Sequence, residues 1–354
     1  MPDRPAPFRP GRLRLWAQAL VSRLRVQSAE RRLHESAVHL ACERIVSQVN
    51  PTLRGLPGYR RRLFPVAERL LAHGESLLSA IPGPVTLDPA SWAADPLVNA
   101  LFGNLSQLQQ VLSGRAVQRW LQDHPAADGE LFGLLLAMPQ ERRQLGMALI
   151  GDRVQRDVQQ TTLGFTDIEV AAVADGMDAL RRSLLQPVVD VMVSIGHARI
   201  EAREERIAQL DAAVRMLKLK LKVVNPRVGG VDLVLGSSSA HLAEQARLRG
   251  RIDDAERDLA DARRGLANIE EYLDCLINEL DHPERELHFE TMRLWLDRMN
   301  IIRDRCTEGA HEIGLVRARR PDRPGRIALY VHFPRRLVQD PDQRLADIAR
   351  QIGG

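Results

Sequence analysis

Lysine is nearly missing from this chain. Only Lys218, Lys220 and Lys222 occur, and every other cation is arginine. Each of the three follows a leucine, so no Gly-Lys-Ser/Thr element exists to set an ammonium on a nucleotide phosphate. P-loop hydrolases are thereby excluded. Cysteine is scarce as well. Cys42, Cys275 and Cys306 are odd in number and far apart, unlike the dense, even sets of secreted disulfide scaffolds. Reduced thiols and a cytoplasmic protein are expected. Aromatic residues make up 4% of the chain against 27% charged residues, a balance that points to helical bundles rather than β sandwiches. No uncharged apolar window reaches the roughly 18 residues a membrane helix needs, so no transmembrane segment is expected. Arginines scattered through the N-terminal apolar stretch, with no small-residue cleavage site, argue against a signal peptide. The dinucleotide glycine motif, the nucleophile elbow and Cys-x-x-Cys are also missing. No cofactor is implied.

What charge there is lies unevenly. Residues 1 to 65 hold thirteen arginines against Asp3, Glu30, Glu35 and Glu43. With an overall formal charge of +4, the remainder is therefore acidic. A basic front of this kind is a candidate for anionic partners. Within it Leu13, Trp16, Leu20 and Leu24 share a helix face, flanked by Arg12, Arg14, Arg23 and Arg25.

The strongest pattern runs from Ile200 to Leu280. Leu248, Ile252, Ala255, Leu259, Ala262, Leu266, Ile269, Leu273, Leu276 and Leu280 alternate steps of four and three, the spacing of a coiled-coil seam. Ile200, Ile207, Leu210, Val214, Leu217, Leu221 and Val224 repeat it, with Arg203 as a polar intruder. The run Leu217-Lys218-Leu219-Lys220-Leu221-Lys222-Val223 also alternates with period two, as a strand would; the unbroken heptad favours helix. The fold class expected is mainly α: a helical body, a long antiparallel coiled-coil hairpin, and one or two small β hairpins. Four regions follow: a basic helical part over 1–94, a helical and β-meander part over 95–190, the hairpin over 191–281 with a tip loop at 225–239, and a C-terminal part over 282–354.

Local signals refine this. Asn50-Pro51 stops one helix, because the residue before proline is pushed out of the α region. A second is expected from near Pro57 to Ile81. Asp95 before Pro96 is an N-cap signal. Leu131–Met138 and Gln144–Ile150 around Pro139-Gln140-Glu141-Arg142-Arg143 predict a hairpin, with a third strand after Gly151-Asp152; a buried helix is the alternative for such short apolar runs. Thr166 with Glu169 predicts a helix start, which Pro187 kinks or breaks. Glu284 to Arg303 reads as an amphipathic helix. Alternation in 313–318 and 327–333 around Arg320-Pro321-Asp322-Arg323-Pro324-Gly325 predicts a terminal hairpin.

The run from Leu134 to Asp152 (LLLAMPQERRQLGMALIGD), followed by Arg156-Asp157-Val158 and Phe165-Thr166-Asp167, resembles a pattern in proteobacterial helical proteins to which no activity is attached. The likeness spans about residues 95 to 200. It implies a bacterial, cytoplasmic origin and transfers no functional residues.

Candidate chemistry is thin. His34, Glu35, His39, Cys42 and Glu43 are metal-ligand types, but His34 and His39 lie five apart, on different sides of a helix. His282, Glu284, Glu286, His288 and Glu290 read as acids complementing a helix N-terminus. Cys306 with His311 supplies two ligands only. Asp152, Arg153, Arg156 and Asp157 form a charged cluster beside a glycine turn. No catalytic residue and no metal ligand is assigned.

Three functional readings follow. The first is a non-enzymatic interaction or scaffold protein that uses the helical hairpin to engage a protein partner. Its contact residues would be Val231, Leu233 and Leu235 in the apolar tip loop, flanked by Lys218, Lys220 and Lys222. The second is a peripheral binder of an anionic membrane surface or nucleic acid through Arg12, Arg14, Trp16, Arg23 and Arg25. The third is an enzyme of unfamiliar type centred on Asp152 to Asp157.

Overall fold

The computed structural model describes residues 32, 34–150, 153–224, 239–304 and 309–339. Helix α1 runs over 34–49 and stops at Asn50. The Asn50 side chain accepts a hydrogen bond from Thr52 N at 3.0 Å and caps a short 3-10 turn, Pro51–Gly55. Helix α2 (Tyr59–Ala80) carries Pro65 within its second turn. After strand β1 (Val85–Thr86) come four short helices, α3 (Pro89–Ala94), α4 (Pro96–Leu101), α5 (Leu105–Leu112) and α6 (Arg115–Asp123). Asp88, Asp95 and Asn104 cap the first three of these through backbone N–H groups at 2.6–2.8 Å, satisfying donors the first turn leaves free.

Strands β2 (Glu130–Ile150) and β3 (Arg153–Ala174) form one long antiparallel ribbon. Helix α7 (Met177–Val224) follows, then α8 (Ser239–Arg263), α9 (Ile269–Leu280) and a single turn α10 (Pro283–Glu286). The chain closes with β4 (His288–Leu296), β5 (Ile302–Arg303), β6 (His311–Arg320) and β7 (Arg323–Pro334).

The seven strands of the described residues make one sheet, six of them in the order β3-β2-β7-β6-β4-β5 and β1 paired with β7 off this path. Strand β7 is its centre. β2 pairs along one edge, while β6 takes the first half of the other edge and β1, in parallel, takes the second half. Period-two alternation sends β7 side chains to opposite faces. Ile327, Leu329, Val331 and Phe333 join the core shared with α4, α5 and α6. Ala328 and Tyr330 join a second core with Leu78 of α2, with Ile81 just after it, and with Leu180 and Leu184 of α7. The sheet is therefore sandwiched between helical layers.

By backbone contacts the chain divides into two compact units. One contains the described residues up to Leu71 together with His197–Asp281, and is helical. The other contains Ala72–Gly196 and the described residues from His282 onward, and holds the sheet. Helices α2 and α7 each contribute residues to both.

This architecture corrects the mainly α expectation. The sheet has seven strands instead of one or two small hairpins, and it gathers segments from four places in the sequence. The physical reason lies in composition. The strands draw mostly on Leu, Val, Ala and Ile and gather Phe132, Phe165, Phe289, Trp295, Tyr330 and Phe333 besides, so a low aromatic total did not exclude them. Pro139–Arg143 is not a turn but the middle of β2. From Met138 outward β2 pairs with β3 alone among the described residues, and Glu141, Arg142 and Arg143 are exposed there, so polar residues suit these positions. Thr166 and Glu169 do not start a helix. They flank a bulge in β3, where Asp167 takes a positive φ of 49° and one extra residue enters the ladder. Glu284 to Arg303 is mostly strand, and Pro187 lies inside an uninterrupted α7.

The coiled-coil hairpin is corrected too. The return arm is two helices, broken at 264–268 where Gly265 takes a φ of 80°. The break is built, not frayed. The Glu271 carboxylate accepts from Gly265 N and Ala267 N at 3.1 Å, while Asn268 Oδ1 accepts from Glu271 N at 2.9 Å, a capping box that starts α9. Only part of the heptad seam is buried, including Val214, Leu248, Ile252 and Leu259, while Ala255, Ala262 and Leu266 are half-exposed.

Candidate functional site

The end of α7 resolves the period-two ambiguity in a useful way. At about 100° per residue, Val214, Leu217, Leu221 and Val224 fall on one side of the helix. Met216, Leu219 and Val223 fall on the opposite side. The first set is buried or half-buried. That side meets α8, where Lys218 Nζ pairs with Glu256 Oε1 at 2.6 Å and Arg263 pairs with Asp211 at 3.0 Å. The second set is open. Met216 and Leu219 are each 56% exposed and Val223 is 74% exposed. Strict alternation of leucine and lysine on a helix therefore gives two apolar stripes, one packed and one bare, with lysines between them. Lys220 and Lys222 are exposed beside the bare stripe. A helix apolar on both sides is usually covered on both.

A second apolar feature lies on the ribbon, where Leu145 is 69% and Met147 is 66% exposed. Sequence reasoning missed this pair because it took the ribbon for separate short strands. The signal was there: Gln144–Ile150 is an apolar run in which Leu145 and Met147, two apart, share one face of a strand.

The other candidates have structural roles. Glu43 accepts from the Tyr59 hydroxyl at 2.5 Å and pairs with Arg60 at 2.7 Å. These bonds, Tyr59 first, hold its carboxyl below the ordinary range. His34 pairs with Glu68 at 3.1 Å and His39 meets the Phe64 ring edge-on. His282 pairs with Glu284 at 3.2 Å. Arg156 and Asp157 are exposed on β3, with Asp157 at a bulge. Among the described residues, no three histidine, cysteine, aspartate or glutamate side chains gather as a metal site. No helix among them is long and apolar enough to cross a membrane. Residues Val231, Leu233, Leu235, Arg12, Arg14, Trp16, Arg23, Arg25, Asp152 and Cys306 lie outside the described residues.

Cys42 and Cys275 are buried. Burial is the main cause that pushes the Cys42 thiol up to about 11 and raises Cys275 as well. Both should stay protonated and resist alkylation at pH 8 in the folded protein. Brief iodoacetamide treatment followed by peptide mapping checks this; rapid labelling of either in the native state would contradict it.

No family model, no curated protein and no solved structure matches the chain. The resemblance to proteobacterial helical proteins gains no support from these comparisons. Any functional reading rests on the geometry.

Proposed function

We propose that this chain is a non-enzymatic interaction protein and that the outer face of α7 receives a helical segment of a protein partner. The observation behind this is the bare stripe of Met216, Leu219 and Val223 opposite a packed one. Large apolar side chains at i, i+3 and i+7 are the anchors by which one amphipathic helix lies against another. Exposed apolar clusters on a charged surface mark contact sites. Lys220 and Lys222 add a preference for acidic residues at the partner's rim.

Site-specific photo-crosslinking in native host cells tests the reading. A crosslinker at Leu219 should give one discrete product, and a crosslinker at Arg257, exposed on α8, should not. The product should weaken in a Lys220→Glu, Lys222→Glu variant. No product at 219, or equal products at both positions, would sink the proposal. An adduct at twice the chain mass would make the partner a second copy.

A further inference from the structure

The sheet-bearing unit contains a cleft of about 790 Å³ between one sheet face and α7. That volume falls in the roughly 300–1,000 Å³ range of small-molecule sites. Its floor includes Leu136 and Met138 of β2 and Phe289 of β4, and its roof includes Pro187, Val188 and Val191 of α7. None of these six is fully buried. Elsewhere on this face the apolar side chains are closed off against α2 and α7. The cleft is thus the stretch where the sheet and its helical cover do not meet.

One wall is polar, with arginines beside acidic residues. Arg320 stands at the end of β6, Arg323 at the start of β7 and Arg326 further along it. Arg326 is fixed, with one nitrogen on Glu169 Oε1 at 2.7 Å and another on the Asp167 carbonyl at 2.7 Å. Its Nε is buried with no hydrogen-bond partner. Arg320 is held bidentately by Asp322 at 2.9 and 2.7 Å. Arg323 differs. Its side chain is 73% exposed and its contact to Asp322 is a loose 3.7 Å. Glu169 and Asp322 pair with these arginines and Asp167 also lines the cleft, so the wall cannot favour a polyanion. It can take one monoanionic head, with Arg323 as the guanidinium free to turn toward it.

An apolar trough ending in an uncommitted arginine fits an amphipath. We propose that this cleft binds a single-chain long-chain carboxylate, its tail along Leu136, Met138 and Val188 and its head at Arg323. The proposal goes beyond the partner-binding role of α7 and rests on different residues in the other unit, so failure of either leaves the other standing.

Titration calorimetry on the full chain tests it with sodium decanoate, dodecanoate and tetradecanoate below their micellar concentrations. Saturable one-to-one binding is expected. Affinity should rise about fourfold for each methylene until the cleft is filled. Dodecanol should bind at least about tenfold more weakly than dodecanoate, and Arg323→Gln should erase that preference while leaving dodecanol binding unchanged. Val191→Trp should block both ligands, and Ala318→Leu serves as a second blocking variant if the first fails to fold by circular dichroism. Absence of saturable binding, or binding that both blocking variants leave intact, would overturn the site. Equal binding of the alcohol and the acid would overturn the assignment of the head to Arg323.

Discussion

Replacing Gly83 by alanine should cost the sheet-bearing unit at least about 3 kcal/mol. Two independent features set this expectation. Gly83 takes a φ of 116°, a region that side chains other than glycine rarely enter. A Cβ placed there would also lie 2.4 Å from the carbonyl oxygen of Tyr330 and 3.1 Å from its Cβ. The obstacle is backbone of the central strand, so no rotamer change relieves it. The same segment is tied to β7 twice. Tyr330 N donates to Pro82 O at 3.0 Å, and the Tyr330 hydroxyl donates to Leu78 O at 2.9 Å. An alanine must therefore break one of these bonds or move β7. Denaturant unfolding followed by near-ultraviolet circular dichroism measures the effect. A midpoint unchanged from the parent chain would show that the turn after α2 does not brace the sheet.

That turn was legible only as a break. Ile81-Pro82-Gly83-Pro84 announces the end of a helix, and α2 does end at Ala80. Nothing in four residues announces a strand nearly 250 positions away as the neighbour. The same limit explains the sheet. The terminal hairpin β6–β7 could be read because its alternation and its turn are local. The pairing of β7 with β2 and β1 could not, because register between distant strands leaves no short-range mark. The heptad raised a different difficulty. It is present in the sequence, yet a seam of apolar positions does not require an unbroken coiled coil. The glycine at position 265 and the capping box of Asn268 and Glu271 were visible signals that outweighed the spacing.

The candidate surface was half legible. The lysines were singled out correctly as unusual, and the alternation around them was read as a choice between strand and helix. It is a helix in which alternation has its own consequence. Residues two apart lie about 200° apart on a helix, so a short period-two run paints both sides. Met216, Leu219 and Val223 were legible as apolar, but their exposure depends on which side α8 occupies, and that is a tertiary fact. The cleft could not be read at all. Its walls come from α2, β2, β3, α7, β4, β6 and β7, and only the fold brings Arg323 near Val188.

Leu329→Ala should be nearly as costly as the glycine change, and by a separate route. Leu329 has no exposed surface and stands directly opposite Leu135, which is equally buried. Removing its branched end deletes apolar contact area and leaves a cavity, a change that costs about 2–5 kcal/mol in leucine-to-alanine series. The upper part of that range applies where neighbours cannot collapse. Here the neighbours are held. Strand β7 is bonded to β2 along its edge, and the core above it is filled by Leu97, Leu101 and Leu108 from helices whose starts are capped. The contrast is Leu219→Ala on the bare face of α7. That residue is 56% exposed, so its truncation should shift stability by no more than about 0.5 kcal/mol. Measuring both in the same denaturation series separates architecture from surface. If Leu219→Ala proved the more damaging of the two, the stripe would belong to the protein's own packing, and the central strand would not be the element on which the sheet-bearing unit depends.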